Sequence, residues 1–257
     1  MDFKFAKQLL TETKNFLAKL PNLNDVISYG KKLKKIQILP YDLSYLDIYI
    51  SEDIIVDKGA CALLPDEFKH YICADTTADG NCLYNAVSYF LINENRLAVQ
   101  LRLSTIIELM AYADKYLKLE VFEKDYSYSD QAFSEANYEK YQQEEYRNIA
   151  PYIVEIMRIS NIGAWCSLGA LYGLASVLER PIQSIYPPVK SSILRDYTRI
   201  IEPRQETYNV PIAILWSIAG INEKQSKELL LTNSYFKPNH FVGCYLKVFI
   251  FINYFYI

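Results

Sequence analysis

The stretch that most constrains this chain is a polar, glycine-bearing turn that runs directly into an apolar-faced helix. Residues 75–81 read Asp-Thr-Thr-Ala-Asp-Gly-Asn, and Cys82 follows at once. Beyond it, Leu83, Ala86, Val87, Phe90 and Leu91 fall at i, i+3, i+4, i+7 and i+8, which is one face of an α-helix. A short strand-like piece, 71–74, precedes the turn. Strand, turn and buried helix therefore follow one another without a break, with a cysteine at the helix's first turn.

The rest of the chain divides by periodicity. The first twenty residues alternate apolar and charged positions at helical spacing and lack the uninterrupted apolar core of a signal peptide, so they predict an amphipathic helix. The basic stretch 31–35, with Lys31, Lys32, Lys34 and Lys35, is expected to be a solvated face. Further helices are expected over 97–117, 149–159, where Pro151 marks the start, and 165–178. Strands are expected over 181–186 and 210–216, the latter apolar enough for burial on both faces. A last strand should begin near His240 and include 241–252. The apolar C-terminal run is about half the length a membrane helix needs, and a buried strand is expected there. The polar, tyrosine-rich segment 125–143 is expected to be a mobile flap or surface arm. Helices gathered early and strands gathered late predict an α+β fold, a mixed central sheet flanked by helices. Residues 1–60 read as a helical appendage and 61–257 as the main domain.

Composition excludes several function classes. The formal net charge is −3, which offers no basic field for nucleic acid or an anionic membrane. The five cysteines are odd in number, widely spaced and without a CxxC pair, so neither a disulfide scaffold nor a structural zinc site is expected. No cofactor or metal is expected, and a reducing compartment suits such a pattern. Cytoplasmic action, in the producing cell or after delivery into a host cell, is the expectation.

A thiol is a useful nucleophile only as thiolate, and a helix N-terminus beside an imidazolium favours that form. Cys82 has the helix start. The preceding turn supplies Gly80 and Asn81, whose backbone N–H groups can point at a developing oxyanion. Only two histidines exist to act as base. His70 lies in a polar run and is expected to be solvent-exposed. His240 stands between the Lys237-Pro238 turn and an apolar strand, where its ring can face a cleft.

Asp79-Gly80-Asn81-Cys82-Leu83-Tyr84-Asn85-Ala86-Val87-Ser88 resembles, without a break, the nucleophile motif D-G-N-C-L-[FY]-x-A-[VIL]-S of the ovarian tumour (OTU) cysteine proteases. Asn239-His240-Phe241 is similar to that family's histidine motif. Trp165 and residues 168–185 resemble the block between them, and the likeness covers about 75–246. It implies a papain-like thiol protease, a deubiquitinase in which Cys82 attacks an (iso)peptide carbonyl at the C-terminus of ubiquitin or a ubiquitin-like modifier. His240 would take and return the proton. Asp79 would shape the oxyanion turn or associate with the triad, and Trp165 would be a core anchor or a cleft wall. Many members carry Asp or Asn two residues after the histidine, on the same strand face. Here that position is Val242, which accepts no hydrogen bond, so Asn239 and Asp75 are the candidate orienters. The missing acceptor leaves a second reading open, a catalytically weak or inactive OTU-like interaction module. A third is a peptidase or acyltransferase with an unrelated substrate.

Overall fold

Residues 212–216 offer only apolar side chains, Trp216 apart, before Ser217, and all six positions of this strand are buried. Such a strand needs partners on both edges and cover on both faces. The computed structural model, which describes residues 2–39, 54–119, 146, 149–189, 197–207, 210–232 and 236–247, supplies them. In chain order the strands are β1 (Tyr71–Cys73), β2 (Ile182–Ile185), β3 (Arg199–Ile201), β4 (Ile212–Ser217) and β5 (His240–Leu246). They form one sheet in the order β1-β5-β4-β2-β3. β4 pairs parallel with β2, and every other pairing is antiparallel. The sheet is mixed and the architecture α+β, as the distribution of helical and strand periodicity predicts.

Trp216 locks the middle of this sheet. It is fully buried between the rings of Phe241 at 4.6 Å and Tyr197 at 4.8 Å. Its indole N–H donates to Ser184 Oγ at 2.8 Å, and that hydroxyl donates to the Tyr197 carbonyl at 2.6 Å. The polar edge of a large apolar side chain is thus satisfied without water, as burial requires.

The helices are α1 (Phe3–Leu17), α2 (Leu23–Leu33), α3 (Lys58–Leu63), α4 (Cys82–Ile92), α5 (Ala98–Ala111), α6 (Ala113–Tyr116), α7 (Ala150–Ile159), α8 (Leu168–Leu178) and α9 (Glu223–Thr232). The backbone forms two compact units, residues 1–41 with 99–177 and residues 42–98 with 178–257. The first is helical. Within it Arg102 of α5 is fully buried, and its guanidinium donates to the carbonyls of Ile159 at 2.6 Å, Asn161 at 3.1 Å and Ala164 at 3.0 Å. The guanidinium thus ties together carbonyls at the end of α7 and in the turn after it. Lys31, Lys32, Lys34 and Lys35 are all exposed as expected. Lys34 also reaches the buried Glu108 at 2.6 Å, where an unpaired carboxylate would be costly.

The second unit holds the sheet with α3, α4 and α9. α4 docks on β5 through Gly243, where a Cβ would stand 2.9 Å from Phe90 Cε2. Phe90 then stacks on Tyr245, ring centroids 4.3 Å apart. Cys73 and Cys244 face each other as free thiols, 3.7 Å between sulfurs.

Several boundaries differ from the sequence expectation. The helix expected over 97–117 breaks at Tyr112, whose φ of −127° and ψ of 32° leave the helical region. The helix expected from 165 begins at Leu168, because Ser167 Oγ accepts from Gly169 N at 3.2 Å and caps it. Trp165 is half-buried in the loop before that cap. β3, α2, α3 and α9 were not predicted. The expected flap 125–143 and the C-terminal strand beyond 247 lie outside the described residues. Among the described residues no helix is long and apolar enough to cross a membrane.

Candidate active site

The turn before Cys82 is held by one carboxylate. Asp79 Oδ1 accepts from the backbone N–H of Asn81 at 2.8 Å and from Asn85 Nδ2 at 2.9 Å, while Oδ2 accepts from Asn81 Nδ2 at 3.2 Å. Gly80 sits between them at φ 77°, a left-handed conformation that any side chain would strain. Asn85 lies one helical turn after Cys82, so its amide ties the loop back to the helix that carries the thiol. The same Nδ2 donates to the Thr77 carbonyl at 3.4 Å. Cys82 opens α4 and is 2% exposed.

Topology decides which histidine shares that end of the sheet. β1 is antiparallel to β5, with Cys73 opposite Cys244, and Ala74 N donates to the Gly243 carbonyl at 2.9 Å. The chain leaving β1 therefore moves toward the first residue of β5, His240, before turning into α4. The other end of the ladder carries His70, whose carbonyl accepts from Lys247 N. Seven strand residues put about 20 Å between the two histidines. His70 is exposed and packs on Tyr71, as expected of a surface residue.

By strand alternation His240 shares a face with Val242 and Cys244, while Phe241, Gly243 and Tyr245 occupy the face that α4 covers. His240 stands at the rim, where the loop passes round the sheet end. It is 2% exposed, and its Nδ1 is buried without a hydrogen-bond partner among the described residues. Burial pushes its pKa below the ordinary histidine value, against the opposing pull of Asp57, Asp75, the Thr76 main chain and Asp79. The ring borders a cleft of about 720 Å³ together with Asp57, Asp75, Thr76, Thr77 and Asn222.

Half the chain's length and more, residues 73–217, matches the family described as "Vertnin, OTU domain". The chain belongs to the OTU family. Among its relatives, human (Homo sapiens) Vertnin is 27% identical over 173 residues, covering 63% of this chain and 24% of that protein. Zebrafish (Danio rerio) Vertnin is 26% identical over 174 residues, covering 64% and 24%. The chain thus spans about a quarter of the length of these relatives. Of solved structures, the OTUD1 OTU domain is similar at 14% identity and a TM-score of 0.36, covering 69% of this chain and 87% of that one.

The matched segment of the OTU domain contains Cys82 and the whole of its loop, and ends ahead of His240. Two expectations about the site need correction. Asn239 does not orient His240: its Oδ1 accepts from Ala219 N at 2.9 Å and is committed to the 217–220 turn. Asn81 does not offer its N–H to an oxyanion in this structure, because that group donates to Asp79. Asp79 shapes the turn, and its side chain is engaged there. Two residues escaped the sequence reading. Asn85 carried a signal, an amide at i+3 from the cysteine on a helix otherwise apolar. Asp57 carried none, since only the bridge between Val56 and Ala74 brings it beside the loop.

Proposed function

We propose that this chain is a thiol protease of the ubiquitin system, cleaving (iso)peptide bonds at the C-terminus of ubiquitin or a ubiquitin-like modifier. Cys82 is the nucleophile and His240 its base. The observation that carries the reading is the clamped turn: a carboxylate, a left-handed glycine and the Asn85 amide fix the backbone immediately ahead of a cysteine at a helix start. A buried structural thiol has no need of such a turn, whereas a nucleophile must be held to within a fraction of an ångström. Family membership supports the substrate class, and the absence of a basic field agrees with a protein substrate.

A specific observation favours a second reading, a catalytically weak or inactive OTU-like interaction module. His240 Nδ1 has no partner among the described residues, and Val242 gives the ring no acceptor at the usual place. An imidazole that no side-chain acceptor orients is a poor base.

Ubiquitin carrying a C-terminal thiol-reactive group separates the two. The proteolytic reading expects a covalent adduct with the wild-type chain and none with Cys82→Ala. A folded wild-type protein that binds ubiquitin without forming the adduct supports the module and refutes the protease.

A further inference from the structure

We propose that Asp57 is the positioning residue of the site, its carboxylate acting on the His240 imidazole from the wall of the shared cleft, without a direct ion pair in this structure. This rests on the reading of His240 as the base. The alternatives are accounted for by their own contacts. Val242 is apolar and fully buried, Asn239 is bonded to Ala219, and Asp79 is occupied by Asn81 and Asn85. Of the three carboxylates on the wall of the same cleft as the ring, Glu223 is paired with Lys227, which leaves Asp57 and Asp75.

They flank the isolated bridge between Val56 and Ala74, and that bridge brings residue 57 next to the loop. Asp57 N donates to the Cys73 carbonyl at 2.9 Å, and Asp75 N donates to the Ile55 carbonyl at 2.7 Å. Their side chains differ in order. Asp57 is half-buried, and its Oδ1 caps α3 by accepting from Ala60 N at 2.8 Å. Its second oxygen accepts no hydrogen bond from the described residues. Asp75 is exposed, and its side chain accepts none from them. A carboxylate already fixed by a cap loses little entropy on meeting the ring, and its partial burial reduces solvent screening. On the other side, the Thr76 main chain bonds the His240 ring, but its buried Nδ1 has no partner among the described residues, and neither has the Ser217 hydroxyl opposite it in the ladder. Of the three carboxylates that act on the ring, Asp57 exerts the strongest pull. The remaining charged groups on the cleft walls are Lys58 and Glu223.

The test uses the full chain in a His70→Gln background, which leaves one imidazole to follow by NMR. Asp57→Asn removes the charge and keeps an oxygen for the Ala60 cap. The expected result is a downward shift of the His240 titration, larger than that caused by Asp75→Asn. Turnover of a fluorogenic ubiquitin conjugate should fall about tenfold or more, in kcat rather than KM, with its acid limb moved to lower pH. Asp57→Ser, which also caps a helix, should reproduce the shift should the asparagine disturb the fold. An unchanged His240 titration in both Asp57 variants, or a larger fall in Asp75→Asn, overturns the proposal. A wild-type chain without turnover refutes the enzymatic reading alone, because the titration still decides whether Asp57 acts on the ring.

Discussion

Replacing Asp79 by alanine tests whether the nucleophile turn is held as described. The carboxylate accepts three hydrogen bonds, of which the contacts to Asn81 N at 2.8 Å and Asn85 Nδ2 at 2.9 Å are the strong ones. Bonds to a charged group contribute about 1.5–3 kcal/mol each when sheltered, but Asp79 is exposed, so about 1 kcal/mol each is the better figure. Asn85 is 2% exposed, and its amide would keep only the long 3.4 Å contact to Thr77, adding roughly 1 kcal/mol of unmet desolvation. The sum, about 3 kcal/mol, corresponds to a fall in Tm of roughly 6–12 °C for a chain of this size. Thermal unfolding monitored in both near- and far-ultraviolet circular dichroism measures it. The same variant should form the ubiquitin adduct at least about tenfold more slowly, because Gly80 loses the anchors on either side of it. A double-mutant cycle with Asn85→Ala isolates the shared bond, with an expected coupling of about 1 kcal/mol. A Tm within about 1 °C of wild type, or stabilities of the two single variants that simply add, would refute the clamp.

Two further outcomes follow from the packing and the burial. Gly243→Ala should cost about 1–3 kcal/mol and slow adduct formation, because the new methyl meets Phe90 and pushes α4 off β5; Gly243→Ala with Phe90→Leu should recover part of the loss, as chemical denaturation will show. Burial holds His240 below its ordinary pKa of about 6.5, so below that pH the unfolded chain binds the proton that the folded chain resists. Stability should therefore be lost as pH falls through about 6.5 toward the depressed folded value. The loss of Tm between pH 7.5 and 5.5 should be smaller in His240→Gln than in wild type. Equal losses in the two would contradict it.

Local signals were enough for much of this molecule. The apolar run of β4, the 3.6-residue rhythm of α4 and the Pro151 start of α7 each specify their element from within a few residues, since burial pattern and backbone preference agree there. α9 was missed although its start carried a signal: Asn222 and Gln225 form a reciprocal capping box at 3.0 Å in both directions, but the polar helix behind it hides the apolar rhythm. β3 was not legible, because three residues gain a strand's identity only by pairing with β2.

The site divides in the same way. The sequence by itself determined the candidate nucleophile, its glycine turn and the choice of family, because Asp79, Gly80, Asn81, Cys82 and Asn85 are neighbours and their bonds span at most six residues. Only the tertiary structure decided which histidine shares that end of the sheet and which acids surround it. Antiparallel pairing of β1 with β5 carries His70 to one end of the ladder and His240 to the other, and a single bridge brings Asp57 to the cleft that the ring borders. Those relations depend on strand register between segments more than 150 residues apart, which no local pattern encodes.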